Sequence, residues 1–577
     1  MDRITKNLLK SFSEKFQIGD LDEATRFELF CGYSMICKHT EQTFELLDIH
    51  CGGEDDNGID AFGLIVEGDL ITNSEDLKEL IDTRTELHNV KFVFVQAKRS
   101  ERFETSDFRT FCDGVESIFT DGSEFDSEKM NDIVKMVAML VEASAKLKKG
   151  MSCYMYYVCT GGAERQKPIL NAVDKGKKDI AKLGLCENIQ IELMGALDIH
   201  NSYREIAEAN KCSLKIQKII ALPSAPPVNQ AYLGYISGKE FIKLISDKTG
   251  NEIIKSVFYS NVRDFQGENR VNKEIAASAI SDPNEFILYN NGVTIICKEL
   301  NNMGEKFDLS GYQVVNGCQT SHVLFSNKDE ISDSLLISIK LIETNDDETI
   351  CNVIKATNRQ TVIADEQFVS LNDFTKHLED FYNTFDGEGR LYYERRAMQF
   401  RFNDNVEKVR IVSTPMQIKA MASMFYKLPH RASAYYGTLL RMLDNKFDLF
   451  EESHTFLPYY LSAYILYKLE FAFRNNKFER KYRKFRYHLL MMFRFVHITA
   501  SGLKGRKLTK ECTDLLTLVD NNALFREECK RYFKMIDEEI SKLQNSESVS
   551  MIKSKPLVDQ LAQRCLSFRA KRKAAQR

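Results

Sequence analysis

An acidic residue and a Gln-x-Lys triplet lie at the ends of two apolar segments of this chain. Asp60 follows a glycine-rich and acidic stretch, residues 52–59, and directly precedes an apolar run. Gln96 and Lys98 follow the four apolar residues 92–95. Because residues two apart on a strand share a face, Gln96 and Lys98 can point into one cleft, which Asp60 can approach from a neighbouring strand. The sequence therefore predicts that these three side chains form one site.

The chemistry that suits these groups is the hydrolysis of a phosphodiester. A divalent cation neutralises the phosphate and lowers the pKa of a bound water, and Mg²⁺ prefers oxygen ligands. Asp60 offers a carboxylate, Gln96 a side-chain carbonyl and Ala97 a backbone carbonyl, and Mn²⁺ could substitute for Mg²⁺. Lys98 would orient the attacking water and stabilise the charge that develops on the phosphate. The structural alternative is that Lys98 is a surface lysine at a strand end and that Asp60 caps a turn.

Residues 58–61 (Gly-Ile-Asp-Ala) and 95–98 (Val-Gln-Ala-Lys) resemble a known pattern. They are similar to the Gly-Ile-Asp and Gln-x-Lys motifs of Mrr-type restriction endonucleases, which belong to the PD-(D/E)XK superfamily and cleave DNA with Mg²⁺. The glutamine stands where many members have an acidic residue, so the metal site has one formal charge fewer. The resemblance implies catalytic roles for Asp60, Gln96 and Lys98, and metal binding by Asp60, Gln96, Ala97 and Glu28.

Glu28 is matched to a glutamate that many members of this superfamily carry on the first helix. The alternative, for Glu28 and for the neighbouring Glu23, is a solvated acidic side chain on a helix surface. The acidic residues of the loop, Glu54 to Asp56, are expected to be solvated, because blocks of like charge are rarely buried.

The elements that must position this site form a mixed α/β pattern. Strand-like runs at 61–66, 91–95, 154–159 and 189–193 alternate with helical patterns, such as those around 21–38, 109–119 and 127–147. We predict a restriction-endonuclease-like α/β domain over 1–222, with a central mixed sheet flanked by helices. The segment 222–228 holds three of the nine prolines and is predicted to be a domain boundary.

The middle segment, 228–405, is predicted to be an α+β domain with strands at 286–288, 293–297 and 335–341. Its turns are rich in amides, which offer donors and acceptors for a nucleotide, a base edge or a phosphate, although such turns are more often structural. These turns contain Arg263, Asn290-Asn291-Gly292, Asn316-Gly317-Cys318-Gln319-Thr320 and Asn358-Arg359-Gln360-Thr361. In this order they resemble the AIPR family, named for abortive-infection phage resistance, over about residues 235–400. That resemblance implies bacterial antiphage defence but supplies no ligand. The candidate binding residues are Arg263, Asn290, Asn291, Asn316, Gln319, Thr320, Asn358 and Gln360.

The last segment, 406–577, is predicted to be mostly helical and ends in a basic tail. Its basic stretch, 474–486, interleaves positive charges with three aromatic residues, Phe478, Tyr482 and Phe485. On a helix these aromatics fall at i, i+4 and i+7, so we predict that they pack inward. The basic residues would then be either a solvated face or contacts to DNA phosphates. The candidates for such contacts are Arg480, Lys481, Arg483 and Lys484.

Composition limits the class of protein. The 577 residues include 79 basic and 83 acidic side chains, a net charge of −4, which excludes a uniformly basic surface for nucleic acid. The 14 cysteines form no CxxC pair, and there is no apolar leader or membrane-spanning run. A phosphate-binding GxxxxGK[ST] loop and an HExxH motif are both missing from the sequence. We expect a cytoplasmic protein without a membrane partner.

The leading hypothesis is an antiphage endonuclease that hydrolyses DNA, with phage DNA as a candidate substrate. Its AIPR-like middle and helical end would recognise a target or restrain cleavage. Cutting both strands of a duplex usually calls for two active sites, so we expect at least a homodimer. One alternative is a non-catalytic sensor or adaptor that binds a nucleotide or nucleic acid. Another is a ribonuclease that uses the same site, although DNA is favoured over RNA.

Overall fold

We describe the fold from a computed structural model. It describes all residues except 41, 53–56, 121–122, 149, 163–165, 208–210, 225, 247–249, 251–252, 259–269, 359–372, 396–398, 401–405, 433–438, 440–448, 543–551, 553 and 576–577. Contacts divide the chain into two compact units. Unit 1 contains Met1–Ile206, Asp373–Arg396 and Asn403–Arg577, and unit 2 contains Ala207–Asn372 and Ala397–Phe402. The predicted segments 1–222 and 406–577 thus contribute mainly to one unit, and the predicted segment 228–405 mainly to the other.

The N-terminal part of unit 1 contains a five-stranded mixed sheet in the order β2-β1-β3-β4-β5. β1 is antiparallel to β2 and β3, whereas β3, β4 and β5 are parallel to one another. The mixed α/β prediction for this region is confirmed. The strands are β1 (Ala61–Val66), β2 (Asp69–Ile71), β3 (Lys91–Lys98), β4 (Met151–Cys159) and β5 (Cys186–Met194).

Helices cover both faces of this sheet. On one face, Phe94 of β3 contacts the ring of Phe119, with 5.7 Å between the ring centroids. On the other face, a Cβ atom on Gly32 would lie 2.6 Å from the Cβ of Ala61, so the glycine lets a helix lie directly against β1. Adjacent strand residues point to opposite faces, which requires a helix layer on each side. The helices are α1 (Arg3–Lys15), α2 (Glu23–Ile36), α3 (Leu46–Ile49), α4 (Ser74–Thr83), α5 (Thr105–Phe119), α6 (Glu128–Glu142), α7 (Lys167–Lys182) and α8 (Ala196–Ala207).

Unit 2 combines a five-stranded sheet, in the order β12-β9-β13-β8-β7, with a three-stranded sheet, in the order β10-β11-β6. β6 pairs with β11 and β7 pairs with β8, which is why residues just before 222 belong to this unit. The strands are β6 (Lys211–Lys215), β7 (Lys218–Ala221), β8 (Val228–Ser237), β9 (Val293–Cys297), β10 (Glu299–Met303), β11 (Lys306–Ser310), β12 (Gln313–Asn316) and β13 (Leu336–Thr344).

The helices of unit 2 surround these sheets. The prediction of a strand at 286–288 is wrong, because these residues form part of a short helix. The strands predicted at 293–297 and 335–341 correspond to β9 and β13. A run of three apolar residues is too short to distinguish helix from strand. The helices are α9 (Gly238–Ile245), α10 (Arg270–Ser281), α11 (Phe286–Tyr289), α12 (Cys318–Ser326) and α13 (Asp347–Asn358).

The C-terminal part of unit 1 is mostly helical, as predicted. Its two short strands, β14 (Tyr392–Glu394) and β15 (Ile411–Ser413), pair in parallel. The described residues here contain no helix with the length and apolar character that a membrane crossing requires, and the same holds for the rest of the described chain. The helices are α14 (Asp373–Tyr382), α15 (Thr414–Met424), α16 (Pro429–Ala432), α17 (Leu457–Arg474), α18 (Arg486–His497), α19 (Arg506–Asp520), α20 (Asn522–Lys542) and α21 (Lys555–Ala575).

Candidate functional site

The end of β3 and the start of β1 bring Asp60, Gln96 and Ala97 together. In the antiparallel register Ala61 lies opposite Val95, so the residue before Ala61 is level with Gln96. The backbone N–H of Asp60 donates to the Val95 carbonyl at 2.9 Å. The backbone N–H of Ala97 donates to Oδ2 of Asp60 at 2.6 Å. The Asp60 carboxylate is therefore held against the Gln-x-Lys segment by a charge-assisted hydrogen bond.

Gln96 is buried with its side-chain carbonyl unsatisfied. Its side chain is 1% exposed, and among the described residues its Oε1 has no hydrogen-bond partner. A buried acceptor without a donor costs about 1–3 kcal/mol. Gly58 has a φ of 77°, and a Cβ atom there would lie 2.6 Å from Nε2 of Gln96, so this glycine makes room for the amide. A cation bound by Oε1 would remove the cost, so Gln96 fits the role of a metal ligand.

Lys98 is the last residue of β3 and is partly buried. It lies two residues beyond Gln96, so by the alternation of a strand both side chains leave the same face. The apolar residues Phe92 to Val95 are fully buried, which anchors the strand and leaves its polar end at the edge of the core. The structure thus places the predicted lysine at the polar end of β3, on the same strand face as Gln96.

Glu28 lies on α2, whose N-terminus is capped by Asp22 through hydrogen bonds from the N–H groups of Ala24 and Thr25. Its Oε2 is 3.3 Å from Nε2 of His50. Cys31 lies one turn further along the same helix. Burial raises the pKa of its thiol, and the negative charges of Asp60 and Glu28 raise this pKa further. A Cβ atom on Gly52 would lie 3.3 Å from Oε2 of Glu28, and the adjacent Cys51 donates its backbone N–H to the Asp60 carbonyl at 2.9 Å, so one short segment approaches both Glu28 and Asp60.

A metal site here would rely on mixed oxygen ligands. Over the described part of the chain, no three His, Cys, Asp or Glu side chains cluster in a way that could hold a metal ion. The candidate groups are the carboxylates of Asp60 and Glu28, the side-chain carbonyl of Gln96 and the backbone carbonyl of Ala97. All are oxygen donors, the type that Mg²⁺ prefers. By strand alternation Gln96 lies on the face of β3 that carries Phe94, whereas α2, which carries Glu28, packs on the opposite face against Ala61, so a cation shared by Gln96 and Glu28 would lie past the end of the strands. The acidic loop residues 54–56 lie outside the described residues.

The basic stretch packs against the N-terminal part of unit 1. Arg480 Nη1 is 3.3 Å from Nδ1 of His50. Arg483 pairs with Asp48 and Glu470, each at 2.8 Å, and Lys484 pairs with Glu128 at 3.0 Å. Lys481 is 57% exposed and pairs with the nearby Glu479 at 2.9 Å. All four predicted phosphate-contacting residues thus make ion pairs or hydrogen bonds within the chain.

The three aromatic residues of this stretch, Phe478, Tyr482 and Phe485, are buried, so the prediction that they pack inward is confirmed. Tyr482 stacks on Phe533 of α20, with 4.2 Å between the ring centroids. These rings attach the basic stretch to the C-terminal helices. The charges on its other side face the sheet domain, which is the N-terminal part of unit 1 that contains β1 to β5.

In unit 2, the predicted amides that the structure describes mainly support turns. Nδ2 of Asn290 donates to Oγ1 of Thr320 at 3.0 Å, and its Oδ1 accepts from the backbone N–H of Gly292 at 2.9 Å. Nδ2 of Asn316 donates to the carbonyl of Thr357 at 2.8 Å. Contacts of this kind favour the structural alternative for Asn290 and Asn316.

The other predicted residues of unit 2 are more exposed or lie outside the residues that the structure describes. Asn291 is exposed, and Gln319 is partly buried in the first turn of α12. Arg263, Gln360 and the side chain of Asn358 lie outside the described residues.

Gly292 lies in the turn that follows Asn290 and Asn291, and its substitution tests the geometry of that turn. Its φ is 76°, and a Cβ atom would lie 2.6 Å from the Ser338 carbonyl oxygen. Gly304 has a φ of 73° with nothing within 4 Å, so Gly304→Ala carries only the backbone cost of positive φ. We expect Gly292→Ala to lower the free energy of unfolding by about 1–3 kcal/mol more than Gly304→Ala, because a fixed backbone atom blocks the methyl group. Urea denaturation of both variants measures the difference, and equal losses would contradict the close approach.

Two residues next to the site were not predicted to be there. His50 was not singled out, and Arg480 was predicted only as a phosphate contact. The one local signal for His50 is its place just before the glycine-rich stretch that leads to Asp60. For Arg480 no local signal exists, because its neighbour His50 lies 430 positions away in the chain.

Comparison with known proteins yields one match. The family model described as "AIPR protein" matches residues 258–548, which is just over half of the 577 residues. No curated protein and no solved structure matches the chain.

Proposed function

Because this chain belongs to the AIPR family, which suggests a role in phage defence, we propose that it is a Mg²⁺-dependent endonuclease that hydrolyses DNA in that defence. The N-terminal part of unit 1 would cleave the DNA. The family match begins at residue 258 and does not cover that part, so the catalytic proposal depends on the geometry of the site and on the resemblance to Mrr-type nucleases.

The observation that carries the proposal is the buried Oε1 of Gln96, which has no hydrogen-bond partner among the described residues and belongs to the residue level with Asp60 in the neighbouring strand. A structural glutamine in a core normally satisfies its carbonyl. Here Gln96 is level with Asp60 across the strand pair, and a cation that bound both side-chain oxygens would offset the cost of burying them. This arrangement supports a metal site over the structural alternative for Asp60.

Each residue would have a defined task. Asp60, Gln96 and the Ala97 carbonyl would hold the cation, and Glu28 would add a second carboxylate. A bound Mg²⁺ would supply a water of lowered pKa and neutralise phosphate charge. Lys98 would orient that water and stabilise the negative charge that grows on the phosphate in the transition state. The Ala97 N–H holds the Asp60 carboxylate in place before the cation binds.

The rest of the chain would decide when and on what the site acts. We propose that the AIPR region recognises a trigger or target, since an unrestrained cytoplasmic nuclease would damage its own cell. Cleavage of both strands of a duplex would require two sites, so the active form would be at least a homodimer.

The direct test is a cleavage assay with the full chain. Plasmid DNA, linear DNA and single-stranded RNA are each incubated with Mg²⁺, with Mn²⁺ or with EDTA. We expect cleavage of DNA with either metal and none in EDTA. Cleavage of RNA alone would reassign the same site to a ribonuclease.

Asp60→Asn keeps the size of the side chain but removes the charge that binds the cation, so we expect it to abolish both cleavage and Mn²⁺ binding measured by calorimetry. Asp82→Asn is the matched control, because Asp82 is exposed on α4 and should behave as wild type. Metal-independent cleavage, or full activity of Asp60→Asn, would refute the proposed function.

A further inference from the structure

Arg480, from the C-terminal part of unit 1, lies at the edge of the candidate site. Its Nη1 is 3.3 Å from Nδ1 of His50. Nε2 of the same imidazole is 3.3 Å from Oε2 of Glu28. His50 is 8% exposed, so it links the arginine to the glutamate away from bulk water. The three side chains form a continuous chain of polar contacts that ends on a proposed metal ligand.

The direction of these hydrogen bonds follows from the donor inventory. A guanidinium can only donate, so Nδ1 of His50 must accept. The ring proton is then on Nε2, which donates to the Glu28 carboxylate. Arg480 thus selects the tautomer of His50 in which its far nitrogen can hold Glu28. Partners that orient a metal ligand in this way tune metal affinity.

His50 is also tied to the other carboxylate of the site. It forms an isolated antiparallel bridge with Ala61, the first residue of β1. The next residue, Cys51, donates its N–H to the Asp60 carbonyl at 2.9 Å. A displacement of His50 would therefore disturb the backbone at Asp60 as well as the side chain of Glu28.

The position of Arg480 is maintained by its neighbours. Arg483, three residues on, is 13% exposed and pairs with Asp48 of α3 at 2.8 Å. Arg474 at the end of α17 is 1% exposed and pairs with Glu45 at 2.8 Å. Burial and the positive charge of Arg483 lower the pKa of Arg480, and the charge of Glu28 acts in the opposite direction. The buried ion pairs of Arg474 and Arg483 thus fix the stretch that carries Arg480 against the N-terminal part of unit 1.

We propose that Arg480 is a positioning residue of the metal site, which acts through His50 to orient Glu28. The inference rests on the proposed function and deepens it, because it makes the metal affinity of the sheet domain depend on a residue of the helical C-terminal part. The metal site would be complete only when the basic stretch is packed against the N-terminal part of unit 1.

The test is Mn²⁺ binding to the full chain, measured by calorimetry without any DNA. Arg480→Met removes the donor and retains most of the volume, and we expect it to weaken Mn²⁺ binding about 10-fold or more, in the range typical of residues that orient metal ligands. Arg480→Lys keeps a donor and is expected to recover part of the affinity. In a Glu28→Gln background, Arg480→Met should have no further effect, because the residue through which it acts is already changed.

Two further variants separate positioning from a loss of structure. Lys477→Met is the matched control, because Lys477 belongs to the same basic stretch and pairs with Asp20 at 3.0 Å, and we expect wild-type affinity. His50→Leu breaks the link but retains Arg480, and we expect the same weakening as for Arg480→Met. Thermal melting of each variant establishes that it is folded.

The outcomes distinguish this inference from the proposed function. If Asp60→Asn weakens Mn²⁺ binding but neither Arg480→Met nor His50→Leu does, the role of Arg480 is refuted and the metal site stands. If wild type and Asp60→Asn bind Mn²⁺ equally, the proposed function fails, and the inference that rests on it is overturned with it.

Discussion

Lys98→Ala is expected to slow DNA cleavage by about 10²–10³-fold, the range seen when one group that stabilises transition-state charge is removed. Lys98 lies on the same face of β3 as Gln96, at the polar end of a strand whose apolar part is buried. Lys98 is not a proposed metal ligand, so the affinity of the Lys98→Ala variant for Mn²⁺ should be unchanged or slightly raised. Loss of rate without loss of metal is the signature of a group that acts on the phosphate.

Single-turnover cleavage and calorimetric Mn²⁺ binding measure the two effects separately. Lys91→Ala is the matched control, because Lys91 is the first residue of the same strand and its Nζ lies 5.8 Å from the ring centroid of Tyr154, away from the site. It should cleave DNA at the wild-type rate. If the Lys98→Ala variant cleaved DNA at the wild-type rate, Lys98 would have no catalytic role and would be a surface lysine at a strand end.

Glu45→Ala is expected to lower the free energy of unfolding of unit 1 by about 3–5 kcal/mol, the cost of removing one partner of a buried ion pair. Arg474 is 1% exposed, and its Nη1 lies 2.8 Å from Oε2 of Glu45. Its Nε and Nη2 have no hydrogen-bond partner among the described residues. Without the glutamate, a buried guanidinium would lose the pairing that offsets its desolvation.

The double variant Glu45→Leu/Arg474→Met should recover much of that loss, because apolar side chains of similar volume carry no desolvation cost. Asp20→Ala provides the control. The Asp20–Lys477 pair, at 3.0 Å, joins the same parts of the chain, but its side chains are 62% and 36% exposed, so the loss should be about 1 kcal/mol or less. Urea denaturation measures the free energy of unfolding of all three variants. Similar losses for Glu45→Ala and Asp20→Ala would show that the burial of Arg474 does not increase the cost of breaking its ion pair.

The strands of the sheet domain were predictable because their signal is local. The run 61–66 coincides with β1, and the runs 91–95, 154–159 and 189–193 lie within β3, β4 and β5. Buried strands in a parallel or mixed sheet form short continuous apolar runs, which the sequence displays directly. The run 286–288 was too short to carry that signal, and it forms part of α11 instead.

The candidate site was predictable in part for the same reason. Alternation along one strand places Gln96 and Lys98 on one face, and Asp60 stands at the start of the strand that pairs with it. The position of Glu28 depended on the resemblance to Mrr-type nucleases, because nothing in the periodicity of α2 selects it over Glu23. The structure separates the two, since Glu28 contacts the buried His50, whereas Glu23 lies 3.7 Å from Arg99 with about half of each side chain exposed.

By itself the sequence determined which strands end in polar groups, which faces those groups share, and that a basic stretch carries an inward aromatic stripe. Only the tertiary structure decided what that stretch faces. Arg480 meets His50 across 430 positions of chain, and Arg474 meets Glu45 across 429. Periodicity reports the face of an element and not its partner, because the partner depends on how distant elements pack. Thus Asp60, Gln96 and Lys98 could be found from local pattern, whereas the link from the C-terminal helices to Glu28 could not.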